Sequence, residues 1–370
     1  MYVRELGHAL HAAAPERIVF MGVRRDGPLA DLALGAPART WFPGGHHHTW
    51  LQRRADRDAR AAGARLVHYT NAAAALRSTL PYVLTIHELS VMRHPGLHPM
   101  LRIATVPLTV MAARHARLII VPSEATRREV RRLLHVPPER LIVISEAPGG
   151  SPGGPPPAAM PPDSPAMPLG SPAAMSPEAY REALLRRLGL EEGRYILSTG
   201  TLEPRKNHLR LVRAFERLAG SHPDLKLVLV GGRGWRDRAV LDGVADSPLA
   251  RRIVMQGYVE GKDLHALFQG CGTLAYLSLY EGFGLPIVEG MAAGAPVVTS
   301  SVSSMPEVAG GAAILVDPRD EGAIARALLS AIDRRQELAD RGRRRVQDLS
   351  WERAAAETLE VYDRALDLGG

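Results

Sequence analysis

The chain has 370 residues, 46% of them apolar, and a mean hydropathy of −0.08, which is enough for two separate cores. Its longest apolar candidate, around Leu101 to Val121, is broken by Arg102, Arg114, His115 and Arg117, so a spanning helix is not expected, and the lone Cys271 excludes an internal disulfide and fits a reducing cytoplasm. The net charge of +7 resides in the first part of the chain, where residues 1–147 hold 20 Arg against 11 Asp and Glu, but no aromatic platform or recognition motif accompanies it, which argues against nucleic acid.

The opening MYVRELGHAL has a helical pattern. Short β-branched runs then alternate with helical ones, and Arg17 to Phe20, Leu66 to Tyr69, Val83 to Ile86, Leu118 to Val121 and Leu141 to Ile144 read as strands. Between the first two lie His46, His47 and His48, polar residues of a Gly-Pro loop with no assigned role, and the Asp-x-Asp pair Asp56 and Asp58. That pair falls in a helical pattern, where residues two apart do not share a face, so no metal site is expected. His87 ends the run YVLTIHELS at a strand's carboxyl end, the edge on which doubly wound sheets carry their ligands. The helical pattern SEATRREVRRLL carries Arg127, Arg128, Arg131 and Arg132, a basic face suited to solvent, to an anionic membrane or to a lipid diphosphate. Proline and glycine then dominate residues 148–178, which read as a flexible linker.

The second half repeats the alternation, with strands at Tyr195 to Ser198, Leu225 to Val230, Ile253 to Gln256, Leu274 to Leu277, Val297 to Thr299 and Ala313 to Val316. Two doubly wound parallel sheets follow from the pattern. Just past the first of these strands, GTLEPRKNH supplies Arg205 and Lys206, in a chain with 43 Arg and only three Lys. An ammonium point charge beside a flat guanidinium fork suits two neighbouring phosphates. In YEGFGLPIVEGMAAGAPVV, Glu281 and Glu289 flank a Gly282-Phe283-Gly284 turn that runs through Pro286 into a helix. The glycines can take positive φ, Pro286 suits the first helical position, and the helix start offers N–H groups to an anion. Carboxylates do not bind phosphate, so Glu281 and Glu289 read as acceptors for the neutral hydroxyls of a transferred sugar and a ribose.

Taken together and in order, GTLEPRKNH, LVLVGGRGW, GYVEGKDLHALF, LYEGFGLPIVEGMAAGAPVVTS, SSMPEVAGGAAILVDP and SWERAAAETLEVY resemble glycosyltransferase family 4. These are retaining enzymes of the GT-B fold, and the resemblance is to mannosyltransferase-like members that act in polysaccharide and lipopolysaccharide assembly. It implies an α/β protein with two Rossmann-like doubly wound parallel sheets facing across a cleft. An acceptor-side domain would span 1–147, the linker 148–178, a nucleotide-sugar-binding domain 179–350, and a helix over 351–370 would cross back to the first domain. It implies that His87 contacts the donor sugar, with Glu88 standing where the family has an aspartate partner. Arg205, Lys206 and Glu281 would be catalytic, and Gly200, Thr201, Val259, Gly282, Phe283, Gly284, Leu285 and Glu289 would bind the donor.

The implied donor is a GDP- or UDP-sugar, GDP-mannose first, with no further cofactor and no metal ion; the acceptor is a glycan or a lipid-linked acceptor. A cytoplasmic protein is expected, peripheral at the inner face of the membrane. In the family a strand and a glycine-rich loop precede the first helix, so the N-terminal domain is expected to lack its first strand, the true start lying upstream or the chain being a fragment. The expected chemistry is front-face substitution, in which Arg205, Lys206 and the helix N-terminus stabilise the departing diphosphate, whose oxygen takes the acceptor's proton. A nonenzymatic or decayed sugar-nucleotide-binding protein is the alternative. A nicotinamide oxidoreductase would need a GxGxxG fingerprint with an acid about 20 residues on, which is absent, and neither Lys226 nor Lys262 has the context of a phosphorylase's pyridoxal lysine.

Overall fold

The computed structural model describes residues 1–21, 51–52, 54–75, 78–149, 175–259 and 261–368. His46, His47, His48 and most of the proline- and glycine-rich stretch lie outside the described residues. The chain divides into two compact units, Met1–Gly149 with Leu349–Gly370, and Gly150–Asp348.

The first unit holds a four-stranded parallel sheet in the order β1 (Val67–Tyr69), β2 (Tyr82–Thr85), β3 (Leu118–Val121), β4 (Leu141–Val143). Every residue of β2 and β3 is buried, and in a sheet covered on both faces such strands read as unbroken apolar runs, which YVLT and LIIV nearly are. The basic helix Glu124–Leu134 starts where the Ser123 hydroxyl accepts from Thr126 N at 3.1 Å, and it ends on His135 in the left-handed region, φ 55°. The final helix, Trp351–Asp367, packs on the opening helix, Tyr2–Ala13. Its indole Nε1 donates to the Pro148 carbonyl at 2.9 Å, and its Tyr362 hydroxyl lies 2.7 Å from His68 Nδ1 on β1. The expected strand Arg17 to Phe20 does not form: Arg17 closes a turn onto Ala14 O and pairs with Asp363, and Val19 is 51% exposed, whereas a parallel strand needs cover on both faces.

The second unit holds a six-stranded parallel sheet in the order β10-β9-β8-β5-β6-β7. The strands are β5 (Tyr195–Thr199), β6 (Lys226–Val230), β7 (Ile253–Gly257), β8 (Thr273–Tyr276), β9 (Val297–Ser300) and β10 (Ile314–Val316). β5 pairs with β6 on one side and with β8 on the other, so the winding direction reverses there, the position at which open α/β sheets form a ligand crevice. Cys271 is fully buried with its thiol donating to Phe268 O at 3.2 Å, and burial pushes that thiol up to about 12. Among the described residues no helix is long and apolar enough to cross a membrane.

Candidate functional site

Beyond β5 the chain passes through Gly200, φ 129°, and makes a 3-10 turn over Pro204–Lys206 that ends on Asn207 in the left-handed region, φ 64°. Asn207 is buried, and its amide donates to Leu277 O at 3.1 Å and Pro318 O at 2.7 Å, tying this turn to the segments after β8 and β10. Leu279 N donates to Arg205 O at 2.8 Å, and Arg205 Nη1 donates to Tyr280 O at 2.9 Å. Two loops about 75 residues apart in sequence are thereby stitched side by side at the switch point.

The stitching brings three of the predicted residues together. Arg205 Nη1 lies 2.8 Å from Glu281 Oε2, and Lys206 Nζ lies 2.7 Å from Glu281 Oε1 and 2.8 Å from the Tyr276 hydroxyl. Glu203 completes the cluster at 2.7 Å from Arg205 Nη2. Burial alone would raise the Glu281 carboxyl, but Lys206 and Arg205 outweigh it and hold the group at about 2. Burial alone would lower the Lys206 ammonium, and Glu281 reverses the direction. The sequence assigned Glu281 to a sugar hydroxyl and the basic pair to phosphate, as separate tasks. In the structure each Glu281 oxygen also contacts one of the cations, because a carboxylate 8% exposed would cost several kcal/mol without them.

Two serines hold the Glu281 backbone. Ser303 Oγ donates to Glu281 O at 2.5 Å and accepts from Glu281 N at 3.3 Å, while Ser304 Oγ donates to Phe283 O at 2.7 Å. Gly282 and Phe283 are buried, and Gly284, φ 112°, caps the helix Leu285–Ala293. Glu289 is half-buried one turn into that helix, on the face it shares with Leu285. The Lys206 side chain runs along Gly200, where an added Cβ would come within 3.3 Å of its Cε. Thr201 is exposed, and Val259 is half-buried two residues past β7, two strands away from β5.

The glycines of GGRGW do more than turn the chain. A Cβ on Gly231, φ 150°, would lie 2.1 Å from Gly200 O, and one on Gly234 would lie 2.5 Å from Thr201 Cγ2. The close approach lets Leu202 N reach Gly232 O at 2.9 Å, which seats the Gly200–Leu202 segment.

In the first unit, His87 sits two residues beyond β2. Its Nδ1 is 3.1 Å from Glu146 Oε1, its Nε2 is 3.0 Å from Thr70 O, and the Tyr2 ring stands edge-on at 4.5 Å. The partner that the sequence reading took to be Glu88 is therefore Glu146, 59 residues on and just past β4. Consecutive residues of an extended chain point to opposite sides, and Glu88 instead accepts from Ser90 Oγ at 2.6 Å. Both nitrogens of His87 face oxygen acceptors, an arrangement that favours the doubly protonated ring. Burial lowers the His87 pKa, and the hydrogen bond and charge of Glu146 raise it by more. Its neighbour His68 is held neutral, at about 3, by burial and by the charge on His87.

The remaining sequence candidates have local partners. Asp56 accepts from Thr79 N at 2.9 Å and Leu80 N at 3.2 Å, whereas Asp58 faces Arg54 at 3.9 Å, so the two acids point to different neighbours. On the basic helix Arg127 pairs with Glu124 at 2.8 Å, and Arg128, Arg131 and Arg132 are exposed.

Parallel sheets of four and six strands, one to each unit, are the architecture of GT-B glycosyltransferases. The chain belongs to this group by sequence as well: residues 1–147 match the family described as Glycosyltransferase Family 4, and residues 181–347 match Glycosyl transferases group 1. It is 32% identical over 287 residues to O-antigen chain mannosyltransferase B of Escherichia coli, a match spanning 76% of this chain and 69% of that one. A solved glycosyltransferase from Rickettsia africae shares the fold with a TM-score of 0.70 at 14% identity, over 98% of this chain and 95% of its own. HepE from Anabaena, solved in complex with UDP and glucose, gives 0.63 at 19% identity, over 82% and 79%.

Proposed function

We propose that the protein moves a hexose, mannose in the first instance, from a GDP- or UDP-sugar to a glycan or lipid-linked acceptor in the assembly of a cell-surface polysaccharide, with retention at the anomeric carbon. The observation that carries this reading is Glu281 held between Lys206 and Arg205 at the switch point, four residues ahead of the helix Leu285–Ala293. Two points of likeness support the substrates: HepE was solved with UDP and glucose, and the Escherichia coli relative is named a mannosyltransferase of the O-antigen chain.

In this reading Glu281 orients the basic pair as well as the sugar. Lys206 has three N–H donors, of which Glu281 and Tyr276 take two, and the third goes to a phosphate oxygen of the donor. Each charge-assisted bond to the diphosphate contributes roughly 1.5–3 kcal/mol. As the bond from the anomeric carbon to the diphosphate breaks, Arg205, Lys206 and the helix N-terminus stabilise the charge on the leaving oxygen, which accepts the proton of the attacking hydroxyl. Glu289 receives the ribose hydroxyls, and Gly200, Thr201, Val259, Gly282, Phe283, Gly284 and Leu285 shape the donor's bed. His87, whose Nδ1 lies 3.1 Å from Glu146 Oε1, is the residue assigned to the donor sugar. The transfer is metal-independent, and the protein works at the cytoplasmic face of the membrane.

Screening a panel of nucleotide sugars for thermal stabilisation and for release of free nucleotide tests the reading. One GDP- or UDP-hexose should stabilise the chain and be consumed in the presence of a chelator. Stabilisation without any turnover would leave a sugar-nucleotide-binding protein, and a flat response across the panel would remove the donor site.

A further inference from the structure

We infer that Tyr2 is a positioning residue for His87, its ring holding the imidazole in the pose from which it meets the donor sugar. Two acceptors flank that imidazole, Glu146 Oε1 at 3.1 Å from Nδ1 and Thr70 O at 3.0 Å from Nε2. Hydrogen bonds aimed along the nitrogens resist rocking of the ring out of its plane only weakly. The Tyr2 ring supplies that restraint: it stands 4.5 Å from the imidazole with the two planes 82° apart, an edge-to-face contact. Behind Tyr2 stands Trp351, 5.9 Å away at 67°. Trp351 is buried, and the bond from its Nε1 to Pro148 O ties it to the chain two residues past Glu146. Both supports of His87, the Tyr2 ring and the Glu146 loop, lean on the same indole.

Tyr2 is itself held by a chain of side-chain hydrogen bonds that the proposed reaction does not use. Its hydroxyl lies 3.3 Å from Thr85 Oγ1, Thr85 Oγ1 lies 2.7 Å from His68 Nε2, and His68 Nδ1 lies 2.7 Å from the Tyr362 hydroxyl. Thr85 is buried, and Tyr2, His68 and Tyr362 are half-buried. The chain joins the opening helix, β2, β1 and the final helix. Apolar side chains could fill the same space without desolvating these polar groups, whereas a satisfied polar network fixes one arrangement. Thr85 ends β2 and His87 follows two residues later, so both project from one face of the extended chain. Tyr2 meets the first with its hydroxyl and the second with its ring. The hydroxyl chain sets where the ring stands, and the ring sets the imidazole.

The inference rests on the assignment of His87 to the donor sugar, and the test separates the two. In the full chain, Tyr2→Leu removes the ring, and Tyr2→Phe keeps the ring and loses only the hydroxyl. With the nucleotide sugar that the wild type consumes, Y2L should lower kcat about tenfold with little change in KM, and Y2F should recover most of that rate. The affinity of Y2L for GDP or UDP should equal the wild type's, because the Arg205, Lys206 and Glu281 cluster lies in the other unit. Leu10→Ala, a cavity at a buried position further along the same helix, should lower the melting temperature and leave kcat intact, which separates positioning from general loosening of the helix. Proton NMR needs no turnover: below the His87 pKa its two imidazole N–H signals should persist in the wild type and in Y2F, and exchange away in Y2L. Absence of those signals from the wild type, their persistence in Y2L, or a wild-type kcat in Y2L overturns the inference, as does an equal fall of kcat in L10A. A wild-type kcat in H87A would overturn the His87 assignment and the inference with it, whereas a low kcat in H87A beside an unchanged Y2L overturns the inference alone.

Discussion

His87 Nδ1 and Glu146 Oε1 lie 3.1 Å apart, joining the loop after β2 to the loop after β4 across the sheet of the first unit. The relationship raises the His87 pKa, Glu146 outweighing the effect of burial. Replacing Glu146 with Gln removes the charge and keeps the volume, so the His87 pKa should fall toward or below the ordinary value, which ring-proton NMR titration reads directly. An unchanged midpoint would mean that Glu146 does not hold the imidazolium. The sign for stability follows from a folded pKa raised above the unfolded one: the contribution is full below about 6.5 and is lost as pH rises through the folded value. E146Q should therefore be relatively most destabilised on the acid side of that range.

Glu281 should be the least replaceable side chain of the second unit. Glu281→Gln leaves two buried cations facing a neutral amide, and breaking a buried pair costs about 3–5 kcal/mol. Denaturant melts should show a loss of that order, and a loss below about 1 kcal/mol would mean that water reaches the cluster. Lys206→Ala and Arg205→Ala each strip the buried Glu281 of one counter-charge and should also cost stability, and beyond that they should act on the reaction. Each should lower kcat by roughly 10²–10³ with a smaller change in KM, and a variant with unchanged kcat and only a raised KM would confine its residue to ground-state binding.

The structural part of GGRGW can be tested without chemistry. Gly231→Ala places a methyl 2.1 Å from Gly200 O, so the two loops must separate. A stability loss of at least about 2 kcal/mol is expected, together with weaker binding of GDP and UDP. A Gly232→Ala control, where nothing lies within 4 Å, should be close to neutral.

Acid stability should depend on buried neutral histidine. Burial, with the Lys206 charge added, lowers the His208 pKa to about 4, and the unfolded chain titrates near 6.5. A depressed folded pKa means that stability is full above 6.5 and falls as pH drops toward 4, by about 1.4 kcal/mol per unit for this one group. His208→Gln should flatten that stretch of the stability profile. Equal slopes in the two proteins would show that His208 titrates normally.

The sheets were legible in the sequence because parallel strands covered on both faces read as apolar runs, and LIIV at Leu118–Val121 or YILST at Tyr195–Thr199 could hardly be anything else. Arg17 to Phe20 misled for the same reason: its composition is strand-like, but among the described residues it pairs with no neighbouring strand, and composition does not encode neighbours. Within the site, Arg205, Lys206 and Glu281 could be picked out by residue type and position at strand ends. Their mutual pairing could not, since it depends on a desolvation cost that exists only once the loops meet. Glu146 was invisible for a related reason, because nothing in ISEAPG announces that its carboxylate meets His87 59 residues earlier. The roles of Ser303 and Ser304 could have been sought in the motif SSMPEV, where Pro306 marks a helix start and small hydroxyls precede it.

If Arg205, Lys206 and Glu281 form the diphosphate end of a nucleotide-sugar site, calorimetric titration of GDP and UDP into the wild type and Lys206→Ala must separate the two proteins. Saturable binding of at least one nucleoside diphosphate to the wild type is expected, with much weaker binding of the matching monophosphate and roughly a tenfold or greater loss in Lys206→Ala, the equivalent of at least about 1.4 kcal/mol. Binding of equal strength in the two proteins, or equal affinity for monophosphate and diphosphate, would contradict that role for the three residues.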